Sequence, residues 1–314
     1  MSYVDSPLRD LGYACISLKT TGLTHGYDRI CEISVAVADP GQPIRLALDT
    51  LVHPERPLAG AEIHGIRAKN ISLAPTFDQV ALDLLRQIQG RVVVGHNLSL
   101  PWRFLTSEFT KLGVQLEGPQ IDTMSLTSML TRKPNRPLLE ACDSVGIEAR
   151  IEPTAAVAAL DTAKLLRHLL GQVAKMGLNT LGALRGKKRH PFQATLELEA
   201  MLKGMTYDLE ESVARYSRHE RGVEGSADLA LALYWDALLV ALDDLVITEE
   251  EQDHLARLKT ELELEDERIH MLHARAFSGS LVAMIDAGEV TEDHRTHLAS
   301  LRACLAKLGW CPGE

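Results

Sequence analysis

The chain has 314 residues, of which 46% are hydrophobic and 24% charged, and its mean hydropathy is −0.04. These are values of an ordinary globular protein, and at roughly 150 residues per domain the length predicts two domains. The net charge of −10 is uneven: residues 1–172 carry −1 and residues 173–314 carry −9, which excludes a chain-wide cationic grip on nucleic acid but leaves room for a local basic cleft in the first half.

Three strand-like runs come first: YACISL, a Thr-Thr-Gly turn, RICEISVAVAD ending at Pro40-Gly41, and LALDTLVH between Pro43 and Pro54. Strands separated by Gly/Pro turns predict an antiparallel meander. PTFDQVALDLLRQIQG has Pro75 near its start, apolar residues at 3–4 spacing and Gly90 at its end, so it reads as a helix. VVVGH is a short buried strand, PWRFLTSEFTKLG a helix with Pro101 in its first turn, and Asp122 follows another strand. PLLEACDSVGI and AALDTAKLLRHLLGQVAKM are amphipathic helices. The pattern to about residue 172 is that of an α/β domain.

Beyond Leu170 the strand signal disappears. A helical linker with a basic hinge, RGKKRHP, spans residues 173–226, and an all-α domain occupies 227–314. The run Leu229–Leu242, interrupted by Asp236, is too short for a membrane span and reads as a buried helix. DDLVITEEEQDHLARL (243–258) aligns without gaps on DAGEVTEDHRTHLASL (286–301); in each copy Thr caps a helix whose first turn is acidic. The five cysteines show no Cys-x-x-Cys spacing, which argues against a disulfide framework or a thiolate zinc site. The start shows no basic segment followed by an apolar run, so no signal peptide, no membrane association and a cytoplasmic location are expected.

Several stretches, in order, carry a resemblance. They are ISLKTTGLTHGYDRICEISVAV, LVHPERPLAGAEIHGI with His64-Gly65-Ile66, GRVVVGHNLSLPWRFL with His96-Asn97, QIDTMSL, and DTAKLL at 161–166. Together they resemble the DnaQ-like, DEDDh-type 3′–5′ exonuclease domain of polymerase proofreading subunits, from Gly12 to about Leu170. The resemblance implies an RNase H-like exonuclease fold, a mixed sheet with flanking helices. In that family four carboxylates hold two divalent cations about 4 Å apart for phosphodiester hydrolysis, and a histidine serves as general base.

Aligned on those motifs, the five positions are vacated: the carboxylates fall on Ser17, Lys19, Pro101 and Ala158, and the histidine on Pro153. The resemblance therefore implies a pseudo-exonuclease without catalytic residues and without the family's divalent metal. Lys19, the Ser17 hydroxyl and the amides of Thr20, Thr21 and Gly22 suggest a metal-free phosphate site, against the plainer reading that Lys19 reaches solvent from a strand edge. Leu23, His64, His96 and Asn97 complete the expected ligand-binding set, with a nucleotide or nucleic acid 3′ end as ligand. His96 could instead only hydrogen-bond backbone.

The helical repeat is similar to TerB-like modules found behind exonuclease domains, on the capped segments 247–250 and 290–293, each followed by His-Leu-Ala. That likeness implies an interaction module with a protein partner; a dimer stays open. The histidines at 254, 270, 273, 294 and 297 and the acids at 243–251 lack the pattern of a metal site. The expectation is thus a catalytically inactive binding, regulatory or scaffold protein. One rival is an active 3′–5′ exonuclease using Asp28, Glu32 or Asp161 as substitute ligands, and the other is a purely protein–protein adaptor whose cleft is filled by side chains.

Overall fold

A computed structural model describes residues 5–58, 60–150, 154–185, 229–286 and 290–313. The three β-branched runs form β1 (Tyr13–Thr20), β2 (Ile30–Ala38) and β3 (Arg45–Leu51), an antiparallel meander. β1 also pairs in parallel with β4 (Val92–Gly95), and β4 with β5 (Gln120–Asp122), giving a mixed sheet of order β3-β2-β1-β4-β5. Between β3 and β4 lie α1 (Ala61–His64), α2 (Ala68–Ile71) and α3 (Phe77–Ile88); α4 (Ser99–Lys111) precedes β5. After it come α5 (Thr123–Thr131), α6 (Leu138–Ser144), α7 (Ala155–Lys175) and α8 (Leu181–Arg185).

Successive side chains of a strand point to opposite faces, and the core follows that alternation. Ala14 and Ile16 pack with α3 and α4 on one face, through Val80, Leu84, Phe104 and Phe109. Tyr13 and Cys15 pack on the other face against Ala159, Ala163 and Leu166 of α7. Ser17 and Lys19 continue the Tyr13–Cys15 side of β1. Helix α7 begins beside them: Thr154 Oγ1 accepts from Val157 N at 3.3 Å, and Glu32 Oε1 accepts from Ala155 N at 3.2 Å. Glu32 is the cross-strand partner of Lys19, so its carboxylate sits at the positive end of the helix dipole.

The C-terminal half is helical: α9 (Leu229–Ala241), α10 (Glu249–Glu261), α11 (Asp266–Asp286) and α12 (Glu292–Lys307). The two copies of the repeat are visible in their caps. Thr248 Oγ1 accepts from Glu251 N at 3.3 Å, and Thr291 Oγ1 accepts from His294 N at 3.2 Å. α9 is apolar around most of its circumference, which marks a helix covered on several sides. Leu231, Tyr234, Trp235 and Leu238 are buried against α11 and α12, and the same cluster takes in Ile63 of α1 and Leu23. The basic hinge, apart from Arg185, and most of the expected 173–226 linker lie outside the described residues. Among the described residues no helix is long and apolar enough to cross a membrane.

Candidate functional site

Three of the positions that the resemblance places at the metal ligands converge. Lys19 and Ala158 line a cavity of about 70 Å³ with Thr154 and Asp161. Lys19 and Pro101 line a second, of about 60 Å³, with Thr20, Gly22 and His64. Ser17 shares the strand face but does not line either cavity, and Pro153 lies outside the described residues.

What covers this cleft comes from the other half of the chain. Leu229, Ala232 and Asp236 of α9 close the first cavity, while Trp235, Asp236 and Leu239 of α9 and Arg275 of α11 close the second. Trp235 is only 7% exposed, and Arg275 Nη2 donates to the Thr21 carbonyl oxygen at 3.3 Å. The charge that interrupts the apolar run, Asp236, is the sequence signal of this arrangement: it is exposed and faces the Lys19 cavities while its neighbours are buried.

The turn after β1 is satisfied by its own segment. Thr20 Oγ1 donates to the Gly22 carbonyl oxygen at 2.6 Å, and Thr21 N donates to the Arg29 carbonyl oxygen at 2.9 Å. Thr21 Oγ1 donates to Asp28 Oδ1 at 3.0 Å, while Asp28 Oδ2 accepts from Thr24 N at 3.0 Å. A Cβ at Gly22 would stand 2.4 Å from the Asp28 carboxylate, so this close approach requires glycine.

The two histidines of the expected set are also held locally. His64 Nδ1 accepts from Ile66 N at 3.1 Å. His96 Nε2 must donate to the Arg136 carbonyl oxygen, 2.7 Å away, so Nδ1 is the acceptor facing the Thr123 hydroxyl at 3.0 Å. Burial holds the His96 imidazole below its ordinary pKa, although the Arg136 carbonyl opposes this. Asn97 adopts the left-handed conformation, φ 57°, in a turn held by Asp122, whose carboxylate accepts from Asn97 N, Leu98 N and Met124 N. Leu23 and Asn97 line a separate, larger cavity between the two halves.

The carboxylates considered as substitute ligands are engaged apart from one another: Asp28 in the turn, Glu32 at the start of α7, and Asp161 with Arg150 N at 2.9 Å and Lys164 Nζ at 2.6 Å. Among the described residues no group of three or more His, Cys, Asp or Glu is placed to hold a metal ion.

A polar clasp joins the halves near His96. Arg136 meets Glu140 at 3.3 Å and Glu250 at 3.5 Å. Its Nη1 also donates to His254 Nδ1 at 3.2 Å, which leaves Nε2 carrying the proton toward Glu140 Oε1, a 3.0 Å contact off the hydrogen-bond line. Burial works to raise the Glu140 pKa, but His254 and Arg136 together hold it below the usual carboxylate value. Arg136→Ala is expected to lower stability by about 1 kcal/mol in low salt and by less in about 1 M NaCl, because the pairs are half-exposed and screened. Urea denaturation at the two salt concentrations checks this, and a loss that ignores salt would contradict it.

Sheet order, flanking helices and the cleft at the end of β1 define an RNase H-like exonuclease fold followed by a helical region. Residues 18–152 match the family model described as exonuclease, RNase_T. The chain is 28% identical over 187 residues to a DNA polymerase III subunit epsilon-like protein of Rhodobacter capsulatus, covering 57% of this chain and 27% of that protein. It is 30% identical over 203 residues to the PolC-type DNA polymerase III of Bacillus subtilis, covering 60% of this chain and 14% of that protein. A PolC-type polymerase of Caldanaerobacter subterraneus is 30% identical over 120 residues, covering 38% and 8%. The chain thus spans about a quarter of the first relative and less than a sixth of the other two. Its N-terminal half is an exonuclease-like domain homologous to DnaQ-type proteins.

Proposed function

We propose that this is a non-hydrolytic exonuclease-like protein whose helical half, of the TerB-like kind, closes the old cleft and serves as a scaffold for a protein partner. The observation that carries this reading is the seating of Trp235 and Arg275 over Lys19, Pro101 and His64. The donor set supports it. Two divalent cations need several oxygen ligands, chiefly carboxylates; positions 17, 19, 101 and 158 offer one neutral hydroxyl, one ammonium, a proline ring and a methyl group. These residues do not fit the family's metal pair. The two cavities at Lys19, about 70 and 60 Å³, are far below the roughly 300 Å³ at which ligand pockets begin, so the closed-cleft adaptor is favoured over a nucleotide bound at Lys19. The net charge of −9 on residues 173–314 selects a partner with a cationic face.

The test is incubation of the full chain with 3′-labelled single-stranded DNA and RNA in Mg²⁺ and Mn²⁺, with anisotropy read in parallel. The expected result is no release of nucleotides, and no binding that Lys19→Glu alters. Release that EDTA stops would overturn the non-hydrolytic reading. Binding that Lys19→Glu weakens would overturn the closed cleft.

A further inference from the structure

Between the exonuclease-like half and the helices lies a cavity of about 1020 Å³ that the cleft does not use. Its floor is apolar: Leu239 and Leu242 of α9, Ala276 and Met284 of α11, and Leu301 of α12. Its mouth carries one guanidinium and two imidazoles. His25 comes from the turn after β1, Arg103 from α4 and His297 from α12, and all three are exposed at the lining. Among the described residues none of these three side chains has a hydrogen-bond or ion-pair partner.

The cavity's other charged side chains, Asp293 apart, have hydrogen-bond, ion-pair or ring partners. Arg29 is paired with Glu55 and Glu108, and Arg56 lies over the Tyr27 ring at 3.9 Å. Asp243 accepts from the Ser99 hydroxyl and Asp244 from Val246 N at 2.9 Å. His294 closes the cap of α12, and Asp293 lies in that helix's first turn.

We propose that this cavity is a binding site for a small phosphomonoester with an apolar body, its phosphate held by Arg103, His25 and His297 and its body laid on the leucine floor. Three donors converging from three separate elements match the three terminal oxygens of a phosphomonoester, whereas a carboxylate needs only the fork of one arginine. The volume and the apolar floor with a few polar groups at the rim are those of a ligand pocket. Burial, then Arg103, hold the His25 and His297 imidazoles below their ordinary pKa; a bound dianion favours their protonated, doubly donating forms. The site is independent of whether the cleft hydrolyses anything, because it shares none of the positions 17, 19, 101 and 158.

Calorimetric titration of the full chain with phenyl phosphate, inorganic phosphate, benzoate and adenosine monophosphate tests the assignment. Phenyl phosphate is expected to bind at least about tenfold more tightly than inorganic phosphate or benzoate. Arg103→Gln, at an exposed position, is expected to weaken phenyl phosphate at least tenfold. Ala283→Phe, which fills the cavity, should abolish that preference over inorganic phosphate while leaving inorganic phosphate itself unchanged. A nucleotide tighter than phenyl phosphate would identify the source of the phosphomonoester as a nucleotide, and the reverse order a non-nucleotide; both support the site. Failure of every probe to bind at millimolar concentration, or binding that Arg103→Gln leaves unchanged, would overturn it.

Discussion

Replacing Arg29 by alanine is expected to cost about 3 kcal/mol of folding stability, because it strands a buried carboxylate. The guanidinium forks onto Glu108, with Nε 2.8 Å from Oε1 and Nη2 3.1 Å from Oε2, and also reaches Glu55 at 2.8 Å. Glu108 is 3% exposed, in the C-terminal part of α4. Lys111 contacts the same carboxylate at 3.1 Å, but its side chain is 40% exposed and it sits one turn along the same helix. It therefore recovers only part of what Arg29 supplies. The pair ties the start of β2 to the helix that carries Pro101 and Arg103. The double variant Arg29→Met/Glu108→Leu removes both charges and is expected to lie within about 1 kcal/mol of wild type, since a buried ion pair and an apolar pair of similar volume are close in energy. Urea denaturation of the three proteins decides it; a single variant as stable as the double would mean that Lys111 or water already neutralises Glu108.

The exonuclease-like half was legible because its signals are local. Two-residue alternation in YACISL separates Ala14 and Ile16 from Tyr13 and Cys15, and these become the two faces of the sheet. The cap of α3 and the Thr248 and Thr291 caps of the repeat likewise rest on residues three apart. What α9 covers was not legible. Its apolar circumference says that it is buried, but periodicity carries no address, and its contact with α1 and β1 joins segments more than 150 residues apart. His96 illustrates the opposite difficulty. It stands in a motif that names a cleft, yet its ring is held by Thr123 of another motif and by the carbonyl of Arg136, which lies in none. The mouth of the large cavity draws on residues 25, 103 and 297, a convergence that exists only once both halves have docked.

Acidification should loosen the helical half through one residue. His273 of α11 is fully buried, with its ring 3.2 Å from the Tyr234 hydroxyl through Nε2. Its Nδ1 has no hydrogen-bond partner among the described residues. Protonation would make both ring nitrogens donors, and burial, aided by the His270 ring at 6.4 Å, lowers the pKa to about 4. The folded pKa lies below the unfolded value of about 6.5, so the unfolded chain binds the proton first. Stability is therefore whole above about pH 6.5 and falls as pH drops toward 4, by about 2.5 kcal/mol at pH 4.5. Carboxylates titrate in the same range, so the reading is a difference: His273→Gln, which keeps a partner for Tyr234, is expected to lose about 2.5 kcal/mol less than wild type between pH 7 and 4.5 in urea denaturation. Equal losses in the two proteins would remove His273 as the cause. This packing adjoins the cleft: Arg275 follows His273 on α11 and Tyr234 precedes Trp235 on α9, and Trp235 and Arg275 line the cavity at Lys19.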